Sequence, residues 1–368
     1  MRWDWENDGN YDTAFSTAKT ATHQFSSSGV KNVKLQVRNP GGQVRTKTQK
    51  VTIDPVILSF FSAPGPAPAG LAWDGTHLWL SELSSSTIYK LTTSGQVVSS
   101  FASPCGDPFD LVWDGQYLWV IDAWGSDGAG NVIYKMDTSG NIVTSFSVPR
   151  DISTGLTWDG FFLWGSDSTN GRIVKIDPAT GEVIVSFNSP GPSPRGMAWD
   201  GQYLWVSDFS THEIYKMNTS GTVLNTFPAP GTGPMGFTWD GKNLWCVDLD
   251  SYKIYQITDK IPSTITCQVP DPEITLGELI GVTGQISPSP GEAGIGVSVE
   301  LIPPEGDTIY RATLANVNGE FAYQVQCDDI TKAGAWSVRT SWAGTGPYVG
   351  AVSDPVPLKV ATANARVT

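Results

Sequence analysis

Histidine is nearly absent from this chain of 368 residues: there are three, His23, His77 and His212. Sites that use histidine as general base, nucleophile activator or metal ligand therefore have little to draw on. Cysteine is also scarce, and Cys105, Cys246, Cys267 and Cys327 match no zinc-ligand spacing. Cys105 lacks a basic neighbour to lower its pKa, and Cys246 takes an aliphatic strand position, so both read as free or packed thiols rather than nucleophiles. No apolar run is long enough to cross a bilayer as a helix, and the opening Met1-Arg2-Trp3-Asp4 is not a signal peptide. No long periodic segment rich in alanine, leucine or lysine supports a helical domain.

Glycine (39), proline (25) and tryptophan (15) are abundant, a composition that favours many short strands joined by turns. The net charge of -13 is uneven. Residues 1–53 carry 8 Lys/Arg against 4 Asp/Glu, residues 54–260 carry 10 against 21, and residues 261–368 carry 5 against 11. The two later regions repel nucleic acid and anionic lipid.

Residues 70–82 recur four more times. Trp-Asp-Gly triplets begin at Trp73, Trp113, Trp158, Trp199 and Trp239, separated by 40, 45, 41 and 40 residues. Six residues on stands a second tryptophan (Trp79, Trp119, Trp164, Trp205, Trp245), and nine residues on stands an acid (Glu82, Asp122, Asp167, Asp208, Asp248). Twelve residues before each triplet lies Phe61, Phe101, Phe146, Phe187 or Phe227. A period near forty marks a four-stranded propeller blade. Each unit reads as strand a into Trp-Asp-Gly, strand b through the second tryptophan to the acid, strand c, and strand d ending at the phenylalanine. Asp-Gly between apolar runs is a hairpin signal, because glycine accepts positive φ without steric cost. An outer-type strand precedes the first triplet, and the fifth unit stops after strand c. The N-terminal strand is thus expected to complete the last blade and close a five-bladed ring. One sizeable insertion interrupts the register, at residues 125–130.

This repeat resembles the NHL/YVTN and streptogramin-lyase-like propellers, a likeness that covers residues 54–260. Residues 1–53 hold Trp3-Asp4-Trp5-Glu6-Asn7-Asp8-Gly9, Thr22-His23-Gln24-Phe25, Ser28-Gly29-Val30, an alternating strand over 33–37 and Val51-Thr52-Ile53. They resemble the second half of a PKD domain, an immunoglobulin-like sandwich. The departures are Trp5-Glu6-Asn7, where an aromatic followed by glycine is usual, and Ser28, where proline is usual. The resemblance places the opening strands of that domain before Met1, and the expectation is a fragment of a longer product or a module completed by another chain. Residues 261–360 read as seven strands, over 263–269, 279–286, 296–301, 308–313, 320–326, 335–342 and 352–360. With Asn318-Gly319-Glu320-Phe321, Gly334-Ala335-Trp336 and Ser341-Trp342-Ala343-Gly344, they resemble the Ig-like modules of prokaryotic surface proteins. Residues 361–368 read as a tail. The expected fold class is all-β: a partial PKD-like sandwich, a five-bladed β-propeller and an Ig-like β-sandwich. This company resembles archaeal and bacterial surface-layer or adhesin-type proteins, and implies an extracellular or cell-surface location with a glycan or surface protein as partner. Self-assembly through the open edge of residues 1–53 is a further expectation.

Identical spacing in every unit makes the tryptophan pairs packing residues. Trp124, beside the insertion, escapes that spacing and is a ligand candidate, with plain packing as the alternative. The five acids fall where strand b turns into strand c, on the face that bears the Pro/Gly-rich d-to-a loops. As a ring of oxygen ligands, with Asp107, Asp110, Asp127 and Asp151 nearby, they would suit Ca2+ or Mg2+. As turn residues they would accept backbone N–H bonds instead. Arg150 and Arg195 occupy equivalent loops and are candidates for a carboxylate or sulfate, against the plain reading of solvated arginines. His212 is the one histidine expected to reach that face. A streptogramin-lyase-like activity implies a histidine-bearing metal site on a seven-bladed ring, and this chain has neither feature. Cys267 and Cys327 are candidates for a disulfide in an oxidising compartment. The expected function is non-enzymatic binding, adhesion or spacing through the propeller loops. The alternative is a metal-dependent lyase or hydrolase with its site in the central cleft.

Overall fold

Each Trp-Asp-Gly triplet closes an a-to-b hairpin, and its aspartate does more than turn the chain. In the computed structural model, Asp74 Oδ1 accepts the N–H groups of Thr76 and His77, while Oδ2 accepts the Trp79 indole N–H. The same indole bond recurs from Trp119 to Asp114, Trp164 to Asp159, Trp205 to Asp200 and Trp245 to Asp240, each at 2.8 Å. A lysine from strand c then lies near both groups. Lys90, Lys135, Lys175 and Lys216 pair with the aspartates at 3.0–3.6 Å and sit 4.5–5.2 Å from the indole centroids. In the fifth unit Gln256 takes that place, donating to Asp240. The phenylalanine of strand d packs on the same tryptophan, from Trp79–Phe101 at 6.1 Å to Trp205–Phe227 at 5.6 Å. The repeat is therefore one cross-strand unit joining all four strands of a blade.

The structure describes all residues except 6, 19, 22–24, 26–27, 124–130, 150–151, 153, 261–262, 327–328, 346–347 and 363–368. The all-β propeller has five four-stranded antiparallel sheets. The first blade runs Pro68–Trp73, Leu78–Glu82, Thr87–Leu91 and Val97–Ala102. The last joins Pro234–Trp239, Leu244–Asp248 and Lys253–Thr258 to the N-terminal strand Val56–Ser62, so the ring closes as the sequence predicts. Strands a and b are almost wholly buried, and strands d expose aliphatic side chains such as Val97, Val98, Ile142 and Val143. Three-stranded β1 (Arg2–Asp4), β2 (Gly29–Arg38) and β3 (Val44–Ile53) precede the ring and belong with it to one compact unit, Met1–Asp259. Ser28 and Asn225 link this sheet to the ring, through bonds to Asp259 O and Ser28 O. One face of the sheet carries Trp3 stacked on Trp5 (centroids 4.9 Å), with Val33, Leu35 and Val51, around a concavity of about 490 Å³.

Lys260–Thr368 form a second unit. A three-stranded sheet and a six-stranded sheet contribute Ile280, Val282 and Val325 from one side and Val299, Val338 and Leu358 from the other to one core. The strand predicted over 352–360 is split into Ala351–Val352 and Val356–Ala361, with Pro355, which has no N–H for a ladder, between them. Glu273–Thr275, unforeseen in the sequence, pairs in parallel with Val356–Ala361. Cys267 carries a free thiol that donates to Val338 O, while its candidate partner Cys327 lies outside the described residues.

Burial alone would raise the carboxyls of Asp74, Asp114 and Asp159. Their backbone, indole and lysine donors outweigh it and hold all three below the usual carboxylate range. A depressed folded pKa stabilises the fold above the unfolded value of about 4, and that contribution is lost as pH falls through the folded value. Urea midpoints followed by tryptophan fluorescence are therefore expected to drop below about pH 4, with a shallower drop in Asp114→Asn.

Candidate functional site

Strand a enters each blade through an irregularity. In blades 1, 4 and 5 the register shifts after the opening proline, so that Ala69–Gly70, Arg195–Gly196 and Met235–Gly236 form bulges against strand b. Phe109 occupies the same place in blade 2, where the shift falls between Ile121 and Asp122. A bulge re-aims side chains and is common beside binding sites. Counted from the triplets, Ala69, Phe109, Thr154, Arg195 and Met235 are equivalent, and all five differ.

Arg195 is thus not a loop residue, as the sequence suggested, but the second residue of strand Pro194–Trp199. Its guanidinium carbon lies 5.3 Å from the ring centroids of both Phe109 and Phe209. Nε is buried without a hydrogen-bond partner among the described residues. Burial lowers the Arg195 pKa, and the charge of Asp208 opposes that shift. Phe209 is held in place by its backbone N–H, which donates to Ser193 O two residues before the arginine.

The five repeated acids are all buried, and each is engaged by backbone donors. Glu82 accepts from Ala67 N and Ser85 N; Asp208 from Ser193 N, Ser210 N and Thr211 N; Asp248 from Gly233 N and Ser251 N. Asp167 accepts from Thr169 N and Asn170 N, and Asp122 from Asp107 N. In blades 1, 4 and 5 the acid therefore staples the d-to-a loop to the b-to-c turn. Among the described residues, no group of three or more His, Cys, Asp or Glu side chains is placed to hold a metal ion. Because backbone donors already occupy these oxygens, calcium or EDTA is expected to leave the melting temperature unchanged; a calcium-dependent rise would revive the metal site.

Asp110 differs from the other acids. Four blades have glycine at its register, at Gly70, Gly155, Gly196 and Gly236. Fully buried, its carboxylate accepts the N–H groups of Leu71, Leu111 and Leu156, and that of Met197 as well. Those four amides come from strands a of four blades, so the side chain plugs the ring centre. Sequence reading placed Asp110 only among auxiliary acids; its signal was the single break in a column of glycines.

His212 is exposed and has φ 56°. Gly171, Ser86 and Tyr252 take the same left-handed position, four residues after their blade's acid. His212→Gly is expected to stabilise the protein by about 1 kcal/mol, read from the urea midpoint, because glycine carries no left-handed penalty. Trp124 and Arg150, the remaining ligand candidates, lie outside the described residues.

No family model matches the chain, and comparison with curated proteins finds no match. Among solved structures it is similar to a glutaminyl cyclase of Myxococcus xanthus, at 13% identity over 55% of this chain and 95% of that one, TM-score 0.47. It is also similar to the calcium-binding protein regucalcin of Agrobacterium tumefaciens, at 14% over 54% and 91%, TM-score 0.39. A third is the Cps50 (Swd1) β-propeller domain of Myceliophteria thermophila, at 11% over 66% and 100%, TM-score 0.34.

Proposed function

We propose that this chain is an extracellular, non-enzymatic binding module whose contact face is the d-to-a and b-to-c side of the propeller. In this reading the ring is of the NHL/YVTN-like type, flanked by PKD-like and Ig-like modules that space it from a cell surface, with a glycan or a surface protein as ligand. The observation that carries the reading is the contrast between the two faces. The Asp-Trp cross-strand bond at the a-to-b turns is identical in five blades, while the b-to-c turns at the other end, residues 83–86, 168–171, 209–212 and 249–252, differ in sequence and expose side chains. A rigid repeated frame with varied residues at one rim is a recognition surface. Binding of the full chain to a glycan and surface-protein array tests it. Ser210→Arg, on the contact face, is expected to abolish the signals, and Gln202→Arg, on the opposite a-to-b turns, to leave them. The converse pattern, or no signal on any ligand, would refute the reading.

A second reading, self-assembly, is favoured by β3. Its ten residues have no strand on their outer side among the described residues, and a bare edge templates pairing. Sedimentation over a concentration series would show dimers under this reading and a monomer throughout without it.

A further inference from the structure

We propose that the mouth of the propeller axis binds a carboxylate, held by the Arg195 guanidinium between the rings of Phe109 and Phe209. The inference rests on the contact-face reading above and names the chemistry of that face.

The guanidinium is a half-buried cation whose Nε–H has no hydrogen-bond partner, and Arg195 forms no ion pair within 4.0 Å among the described residues. Its aromatic flanks supply cation–π attraction but no lone pairs for the N–H groups. Asp208, whose charge it senses, already accepts three backbone N–H groups. A desolvated donor without an acceptor is a standing cost that a bound acceptor removes. Arginine remains charged at neutral pH, and its planar fork matches the two oxygens of a carboxylate.

The surroundings select a monoanion. One guanidinium neutralises one charge, and residues 54–260 carry 21 acids against 10 basic residues, so a sulfate or phosphate dianion meets the stronger repulsion. The carboxylate could belong to an acid sugar or to a simple aliphatic acid. The two sources share this chemistry and are separated by experiment.

The full chain is titrated calorimetrically with glucuronate, with acetate, and with the neutral methyl ester of glucuronate. Wild type is expected to bind glucuronate or acetate saturably at one site and to ignore the ester. Tighter binding of glucuronate than acetate assigns the acid sugar, and equal binding assigns the carboxylate alone. Arg195→Lys, which keeps the charge and loses the fork, is expected to weaken binding at least about tenfold, and Arg195→Met to abolish it. Unliganded Arg195→Met is expected to melt no lower than wild type, since methionine retains the apolar stem and removes the unpartnered N–H. No saturable heat from any carboxylate, unchanged binding by Arg195→Met, or a lowered melting temperature in that variant would overturn the proposal. If carboxylates fail while array ligands still bind and are lost in Ser210→Arg, the contact face stands and only the carboxylate falls.

Discussion

Asp110→Ala is expected to lower the unfolding free energy by about 4 kcal/mol or more. The substitution removes both oxygens that accept the Leu71, Leu111, Leu156 and Met197 N–H groups at the ring centre. Each buried donor left without an acceptor costs about 1–3 kcal/mol. Losses above about 4 kcal/mol are exceptional for one substitution and identify a site where several elements meet. Asp110→Asn keeps one acceptor oxygen and turns an amide towards the other pair of donors, so it should lose roughly half as much. Burial, against the pull of the four backbone donors, pushes the Asp110 carboxyl well above the usual carboxylate range. An acid raised in this way stabilises the fold most below about pH 4 and less as pH rises towards the folded value, the opposite sign to Asp74, Asp114 and Asp159. The deficit of Asp110→Asn relative to wild type is therefore expected to be greater at pH 4 than at pH 8. Equal urea midpoints for wild type and Asp110→Ala would remove Asp110 from the ring centre.

Gly196→Ala should be at least as damaging as a typical overpacked core, costing more than about 3 kcal/mol. A Cβ at Gly196 would stand 2.0 Å from Met235 O and 2.7 Å from Gly236 Cα. Both obstacles are backbone, so no side chain can rotate away, and Gly236 meets Ala69 O of the next blade at 2.4 Å in the same manner. Opening one contact would press the ring against the next. Gly201→Ala is the control: it has φ 95° but nothing within 4 Å of its Cβ, so it should lose only about 1 kcal/mol. Similar urea midpoints for Gly196→Ala and Gly201→Ala would mean that the inner strands are not in contact.

The propeller was legible because its signals are periodic. The tryptophans, phenylalanines and Asp-Gly turns recur at fixed offsets, and closure by Val56–Ser62 followed from the missing fourth strand of the last repeat. The lysines over the indoles were not singled out, since Lys90 and Lys175 look like ordinary strand residues until the hairpin folds them onto Asp74 and Asp159. The repeated acids were recognised, but a carboxylate at a turn suits a cation and a backbone N–H equally well, and only the donors in place at Glu82, Asp208 and Asp248 distinguish the two. Arg195 looked like a loop residue because a bulge after proline leaves no trace in strand periodicity. His212 drew notice as a rare residue, whereas its backbone conformation is that of Gly171 in the next-door blade.

The most direct test of the contact face is hydrogen exchange of the full chain, with and without saturating amounts of the ligand that binds best on the array. Protection confined to the d-to-a loops around residues 64–67, 103–107, 189–193 and 229–233, and to the b-to-c turns after Glu82, Asp208 and Asp248, is the predicted result. Protection of the a-to-b turns at residues 74–77, 114–117 and 200–203, with the loop face unchanged, would contradict the account.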